Sequence, residues 1–173
     1  MKKVLLIALL LAMFLWTNVS LAQKASANDQ TPITATSLIG PASDLPAMEN
    51  INSKAIVDFN SKFRNAENVK WHRSSKANVA SFRDGEKLYT VVYLENGKFL
   101  HTLINYGEAQ LDNSIRDLVK KNFRNYTISW VTEVHEGDMI SYFVKIEDAK
   151  RIKELVVYKG EVAVLKQLTK APQ

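Results

Sequence analysis

From residue 51 onward the apolar positions switch twice between a helical and a strand period. Ile56, Phe59 and Phe63 recur at spacings of three and four, which puts them on one face of a helix. Asn52 or Ser53, both good N-cap types, would open it. Val69 and Trp71 then alternate with Lys70 and His72, and further strands are predicted over 78–83, 87–95 and 99–105. Glu95-Asn96-Gly97-Lys98 is the strongest hairpin signal in the chain, and Asn-Gly predicts a type I′ turn there. The order then recurs. Ile115, Leu118, Val119 and Phe123 form the apolar stripe of a second helix, capped by Asp112 or Asn113. Strands follow over 127–133, 139–146, 154–158 and 161–168, with Gly137 and Gly160 at turns.

The recurrence has a local signature. Phe63-Arg64-Asn65 reappears as Phe123-Arg124-Asn125, each time where the helical pattern gives way to a strand pattern. Self-similarity at a fixed offset is a statement about architecture. The expected fold is α+β: two tandem repeats, 51–107 and 111–168, each a helix plus about four strands. Together they form one antiparallel sheet with both helices on one face. Trp71 and Trp130, and likewise Tyr93 and Tyr158, occupy corresponding positions and are expected to be architectural, the two tryptophans beneath the helices. A sheet covered on one side leaves the other side open. In the third strand Leu88, Thr90, Val92 and Leu94 share one side, and Tyr89, Val91 and Tyr93 share the other. Neither set is polar, so the open face is a candidate binding surface.

The first 50 residues change the picture of where this domain works. Lys2 and Lys3 precede an uncharged apolar run, Val4 to Trp16, and Ser20-Leu21-Ala22 supplies small residues for cleavage after Ala22. That is the pattern of a secretory signal, and the run is too short to span a bilayer. The short positive region looks bacterial, so the expected destination is the periplasm or the exterior. Residues 23–50 hold three of the four prolines and almost no large apolar side chain, so they read as a flexible tether. Residues 169–173 are a short tail. No cysteine is present, which excludes disulfides and a cysteine-linked lipid anchor. Without Lys2 and Lys3 the 23 basic residues become 21 against 18 acidic ones, a net of +3. Along the sequence these are spread rather than clustered, so neither nucleic acid nor a membrane surface is expected as a partner; no stable membrane insertion is expected after cleavage, and the domain is read as a monomer.

Few residues carry chemistry. His72, His101 and His135 fall on separate strands without metal-ligand spacing, so no metal is expected. No Gly-x-Ser-x-Gly elbow and no glycine-rich phosphate loop occur, and no cofactor is expected. Glu133 and Glu136 flank a turn, where solvation accounts for them. The chain is therefore read as not an enzyme. Candidate binding residues are those that break the correspondence between halves: Tyr89, Arg73, His101, Tyr106 and Lys145.

One further pattern is Phe63, Ala66, Val69 and Trp71 at the end of the first helix, then Phe82, then Tyr93 with Gly97. The second half gives Tyr126 with Ile128, Tyr142-Phe143, and Tyr158 with Gly160. This order resembles the PepSY-like, beta-lactamase-inhibitor-protein-like (BLIP-like) periplasmic domains of Gram-negative bacteria, over residues 51 to 168. Asp112 departs from it, standing where a proline is expected. The resemblance implies a two-repeat α+β fold with a concave sheet. It transfers no inhibitory residue, and fold alone does not carry function. The expected function is a binding module that docks a protein or peptide of the cell envelope on the open face, possible inhibition of a hydrolase being one form of this. The alternatives are a carrier of a small apolar ligand and, third, an enzyme of unknown class.

Overall fold

A computed structural model describes residues 50–74 and 76–171. The expected signal sequence and nearly all of the expected tether lie outside the described residues. The chain runs α1 (Ser53–Lys62), β1 (Lys70–Arg73), β2 (Ala77–Asp84), β3 (Lys87–Leu94) and β4 (Phe99–Tyr106). A 3₁₀ turn (Glu108–Gln110) leads to α2 (Asn113–Asn122), β5 (Thr127–Glu136), β6 (Met139–Glu147), β7 (Arg151–Tyr158) and β8 (Glu161–Thr169). The eight strands form one antiparallel sheet in sequence order, β1 to β8. Short hairpins explain this order within β1–β4 and within β5–β8, since sequence neighbours reach each other at the lowest loop-closure cost, while β4 reaches β5 through α2.

The helix ends follow local chemistry. The Asn52 side chain accepts a hydrogen bond from the Lys54 N–H at 3.0 Å, and the Asp112 side chain accepts one from the Ser114 N–H at 2.8 Å. Each satisfies an amide that the helix leaves without a partner. At the other ends Phe63 and Phe123 are the C-caps, donating to the carbonyls of Phe59 (2.8 Å) and Val119 (2.9 Å).

Both helices lie on one face of the sheet. Ala55 and Phe59 of α1 are buried against Ala80, Phe82, Val91 and Tyr93. Phe59 is the anchor, 2% exposed, with the rings of Phe63, Trp71 and Phe82 at 5.0, 5.3 and 5.8 Å. Burying such a ring contributes about 2–3 kcal/mol. A second core gathers Val119 of α2 with Ile104, Val131, Val144 and Leu155. The cross-strand pair Tyr89 and Ile104 joins the two cores on the same side.

Turn chemistry differs from expectation at Asn96-Gly97. Only Gly97 has positive φ, +82°, whereas a type I′ turn needs it at two successive residues. Gly97 N–H donates to Leu94 O (2.9 Å) and Leu94 N–H to Lys98 O (2.8 Å), so the loop has three residues. The reason is tertiary: the loop seats on the start of α1. Asn52 Nδ2 donates to Glu95 O at 3.0 Å, and the Asn52 N–H donates to Asn78 Oδ1 at 3.1 Å. A side chain at Gly97 would collide with Asn52. The two-residue turn with both φ values positive occurs instead at Lys159-Gly160 (+50° and +78°).

Candidate functional site

Strand alternation and the pairing register assign a side to each strand residue. The face without helices carries Leu88 and Val92 of β3, His101 and Leu103 of β4, and Thr132 and Val134 of β5. It continues with Ser141, Phe143 and Lys145 of β6, and Glu154, Val156 and Tyr158 of β7. Among the described residues nothing covers it. Thr132, Val134 and Val156 are nonetheless only 3–4% exposed. Thr132 donates a 2.7 Å hydrogen bond to Asn105 Oδ1, and its partner on the other side is Phe143, which in turn pairs with Val156.

Trp130 is the largest exposed feature of this face, at 47%. The sequence places it beneath α2, matched to Trp71, and the structure corrects this. Trp71 follows Phe63 by eight residues and is buried against Phe59. Trp130 follows Phe123 by seven, and the residue eight after Phe123 is Val131, fully buried on the helix side. A break in register between Ile128 and Trp130 completes the change: Ile128 faces the core and Trp130 faces the other way, opposite Lys145. Bulges commonly re-aim side chains in this way. Trp130, Lys145, Glu154 and Lys166 consequently form one cross-strand row. It borders the less charged row of Thr132, Phe143, Val156 and Ala163. Tyr158 also lies on this face and Tyr93 beneath α1, so their correspondence does not extend to a shared side.

The five candidates from sequence do not converge. His101 and Lys145 lie on the uncovered face. Tyr89, Tyr106 and Arg73 do not. Tyr89 stacks on Phe82 at 4.8 Å on the helix side, where burial, then Asp84 and Glu133, push its hydroxyl pKa up. Tyr106 is 2% exposed, and its hydroxyl donates to Glu133 Oε2 at 2.6 Å. Burial, reinforced by that carboxylate, raises its pKa strongly. Arg73 shares the side of Trp71 and is tied to the Asn50 carbonyl and Glu95. The correction has one cause: residue type says nothing about which side of a strand a side chain takes. For His101, burial lowers the pKa below the usual histidine range, and Glu136 opposes the shift. The signal for Trp130 in the sequence is its spacing, seven residues after Phe123 where Trp71 stands eight after Phe63.

Two further polar contacts tie elements together. Glu133 receives Tyr106 on one oxygen and lies 2.5 Å from His135 Nε2 with the other. Tyr93 donates to Asp58 at 3.0 Å, joining β3 to α1. Among the described residues no group of three His, Asp or Glu side chains is placed to hold a metal, and no helix is long and apolar enough to cross a membrane.

Comparison with solved structures supports the same architecture. A DUF2874 family protein from Bacteroides ovatus superposes with a TM-score of 0.57 at 16% identity, covering 69% of this chain and 87% of that one. A BLIP-like protein from Bacteroides fragilis gives 0.57 at 15%, covering 69% and 86%. A protein from Bacteroides eggerthii, provisionally described as periplasmic, gives 0.55 at 13%, covering 69% and 88%. Likeness at this identity shows the fold: an open eight-stranded antiparallel sheet with two helices, of BLIP-like type. None of the three is described as PepSY. No family model and no curated protein matches the chain.

Proposed function

We propose that this chain is a non-catalytic binding module of the periplasm or exterior that docks a protein or peptide on the uncovered sheet face. The observation that carries the reading is Trp130, a large aromatic side chain held half in solvent opposite Lys145 on a face that no second layer covers among the described residues. Interface hot spots favour Trp, Tyr and Arg next to well-packed apolar surface. The likeness to a protein described as periplasmic and to a BLIP-like protein is consistent with an envelope location. Inhibition of a hydrolase is a narrower form of this proposal. Carriage of a small apolar ligand is less well supported: two hollows among the described residues, over the outer side of α1 and beside the β6–β7 turn, are lined mostly by polar residues such as Lys54, Asp58, Asn125 and Arg151. The test is affinity capture from envelope extract with wild-type protein and with Trp130→Ala. A partner retained by the first and lost by the second supports docking here. Equal recovery by both sinks the assignment of the face.

We also read the two halves as copies of one unit. Caps at Asn52 and Asp112, and C-caps at Phe63 and Phe123, support this at a constant offset. Replacing Asn122–Tyr126 with the Lys62–Ala66 sequence should then leave a cooperatively folding protein, and loss of cooperative unfolding would argue against common descent of the halves.

A further inference from the structure

Residues 50–171 contain 20 basic and 15 acidic side chains. Seven of the basic and two of the acidic ones fall in three short segments, 120–126, 147–153 and 170, leaving 13 of each sign elsewhere. Folding brings these segments together. Lys153 Nζ lies 5.4 Å from the ring centres of Phe123 and Tyr126, and Arg151 lies over Tyr126 at 5.6 Å. Lys120 Nζ donates to the Tyr126 carbonyl at 3.1 Å, and Lys170 N–H donates to the Lys150 carbonyl at 2.8 Å. The two carboxylates in the corner are engaged, Asp148 with Arg151 at 2.9 Å and Glu147 with Lys170 at 3.1 Å. Lys121, Arg124 and Lys150 are exposed. Lys120 also pairs with Glu108 at 3.3 Å, so with that carboxylate counted the corner carries four of the five excess positive charges of the described chain, where the end of α2 meets the β6–β7 turn.

We propose that this corner docks the protein onto the headgroup phosphates of an anionic phospholipid bilayer. An exposed array of separate cations suits a surface of many phosphates better than one small anion. Clustered Lys and Arg side chains are drawn to such a surface within a Debye length of it. Lys153 rests on Phe123 and Tyr126, on the helix side, so docking through this corner leaves the uncovered sheet face free. The proposal stands on a different surface from the docking face and does not depend on it.

The test is co-sedimentation of the purified exported protein with phosphatidylglycerol–phosphatidylcholine vesicles and with phosphatidylcholine vesicles. Binding is expected to the anionic vesicles alone, and to weaken by about tenfold or more between roughly 50 and 300 mM salt. The triple variant Lys121→Glu, Arg124→Glu, Lys150→Glu should lose about tenfold or more, and the milder triple change to Gln should lose less. Lys54→Glu, Lys76→Glu, Lys98→Glu, an equal charge change at exposed positions elsewhere, should retain most of the binding. No binding to anionic vesicles at low salt overturns the proposal. So does an equal loss in the two Glu triples while both keep the wild-type unfolding midpoint.

Discussion

Gly97→Ala tests how the β3–β4 loop is held. At φ +82° any side chain is strained, and an added Cβ would stand 2.6 Å from Asn52 Oδ1 and 2.8 Å from Lys54 Cβ. The backbone strain costs about 1–2 kcal/mol. Displacing Asn52 also removes the α1 cap, about 1 kcal/mol. It further loosens the hydrogen bonds to Glu95 O and Asn78 Oδ1, a net of about 1 kcal/mol. The total is roughly 3–4 kcal/mol. Gly137 is the internal control: it too has positive φ, +56°, but nothing lies within 4 Å of its added Cβ, so Gly137→Ala incurs the strain alone. Urea unfolding should separate the two by about 2 kcal/mol, which at a slope of about 2 kcal/mol/M is a midpoint difference near 1 M. Asn52→Ala combined with Gly97→Ala should cost less than the sum of the single changes, because the cap can be lost only once. Equal midpoints for the two glycine variants would refute the close-approach argument.

Two further outcomes follow from the same structure. Trp71→Ala should destabilise by about 3–5 kcal/mol, whereas Trp130→Ala should cost about 1 kcal/mol or less, and thermal unfolding of both compares them directly. Equal losses would return Trp130 to the core. His101 is held below its unfolded pKa, so the folded state resists protonation there. Its contribution is intact above about pH 6.5 and is lost as pH falls through that value toward the folded pKa. His101→Gln should therefore flatten the fall in unfolding midpoint between about pH 7.5 and 5, and an unchanged slope would show that other groups set it.

The sequence made much of this fold legible because its local signals agree with its tertiary packing. Asn52 and Asp112 were readable as caps, and the Phe59 and Val119 stripes as helix faces, since helical spacing and burial point the same way. All eight strands were readable from alternation. Sidedness was harder, because register breaks near Val92–Tyr93, Ile128–Trp130 and Glu154–Leu155 interrupt a period-two pattern without marking the residue types. The break at Ile128–Trp130 turns Trp130 out of the core, whereas Tyr89 keeps the side of Val91 and Tyr93 and simply lies under the helices. The three-residue loop at Glu95–Gly97 depends on Asn52, more than 40 residues earlier, which no local turn rule includes. The basic corner was illegible for a related reason: residues 120–126, 147–153 and 170 look dispersed until the sheet closes them together.

The most direct test of the central claim is site-specific photo-crosslinking in cells that make the protein. A photoreactive side chain is placed at Trp130 or Tyr158 on the uncovered face, and at Val57, which is 71% exposed on α1. The account predicts one discrete protein adduct from positions 130 and 158 and none from position 57. An adduct from position 57 alone would contradict it.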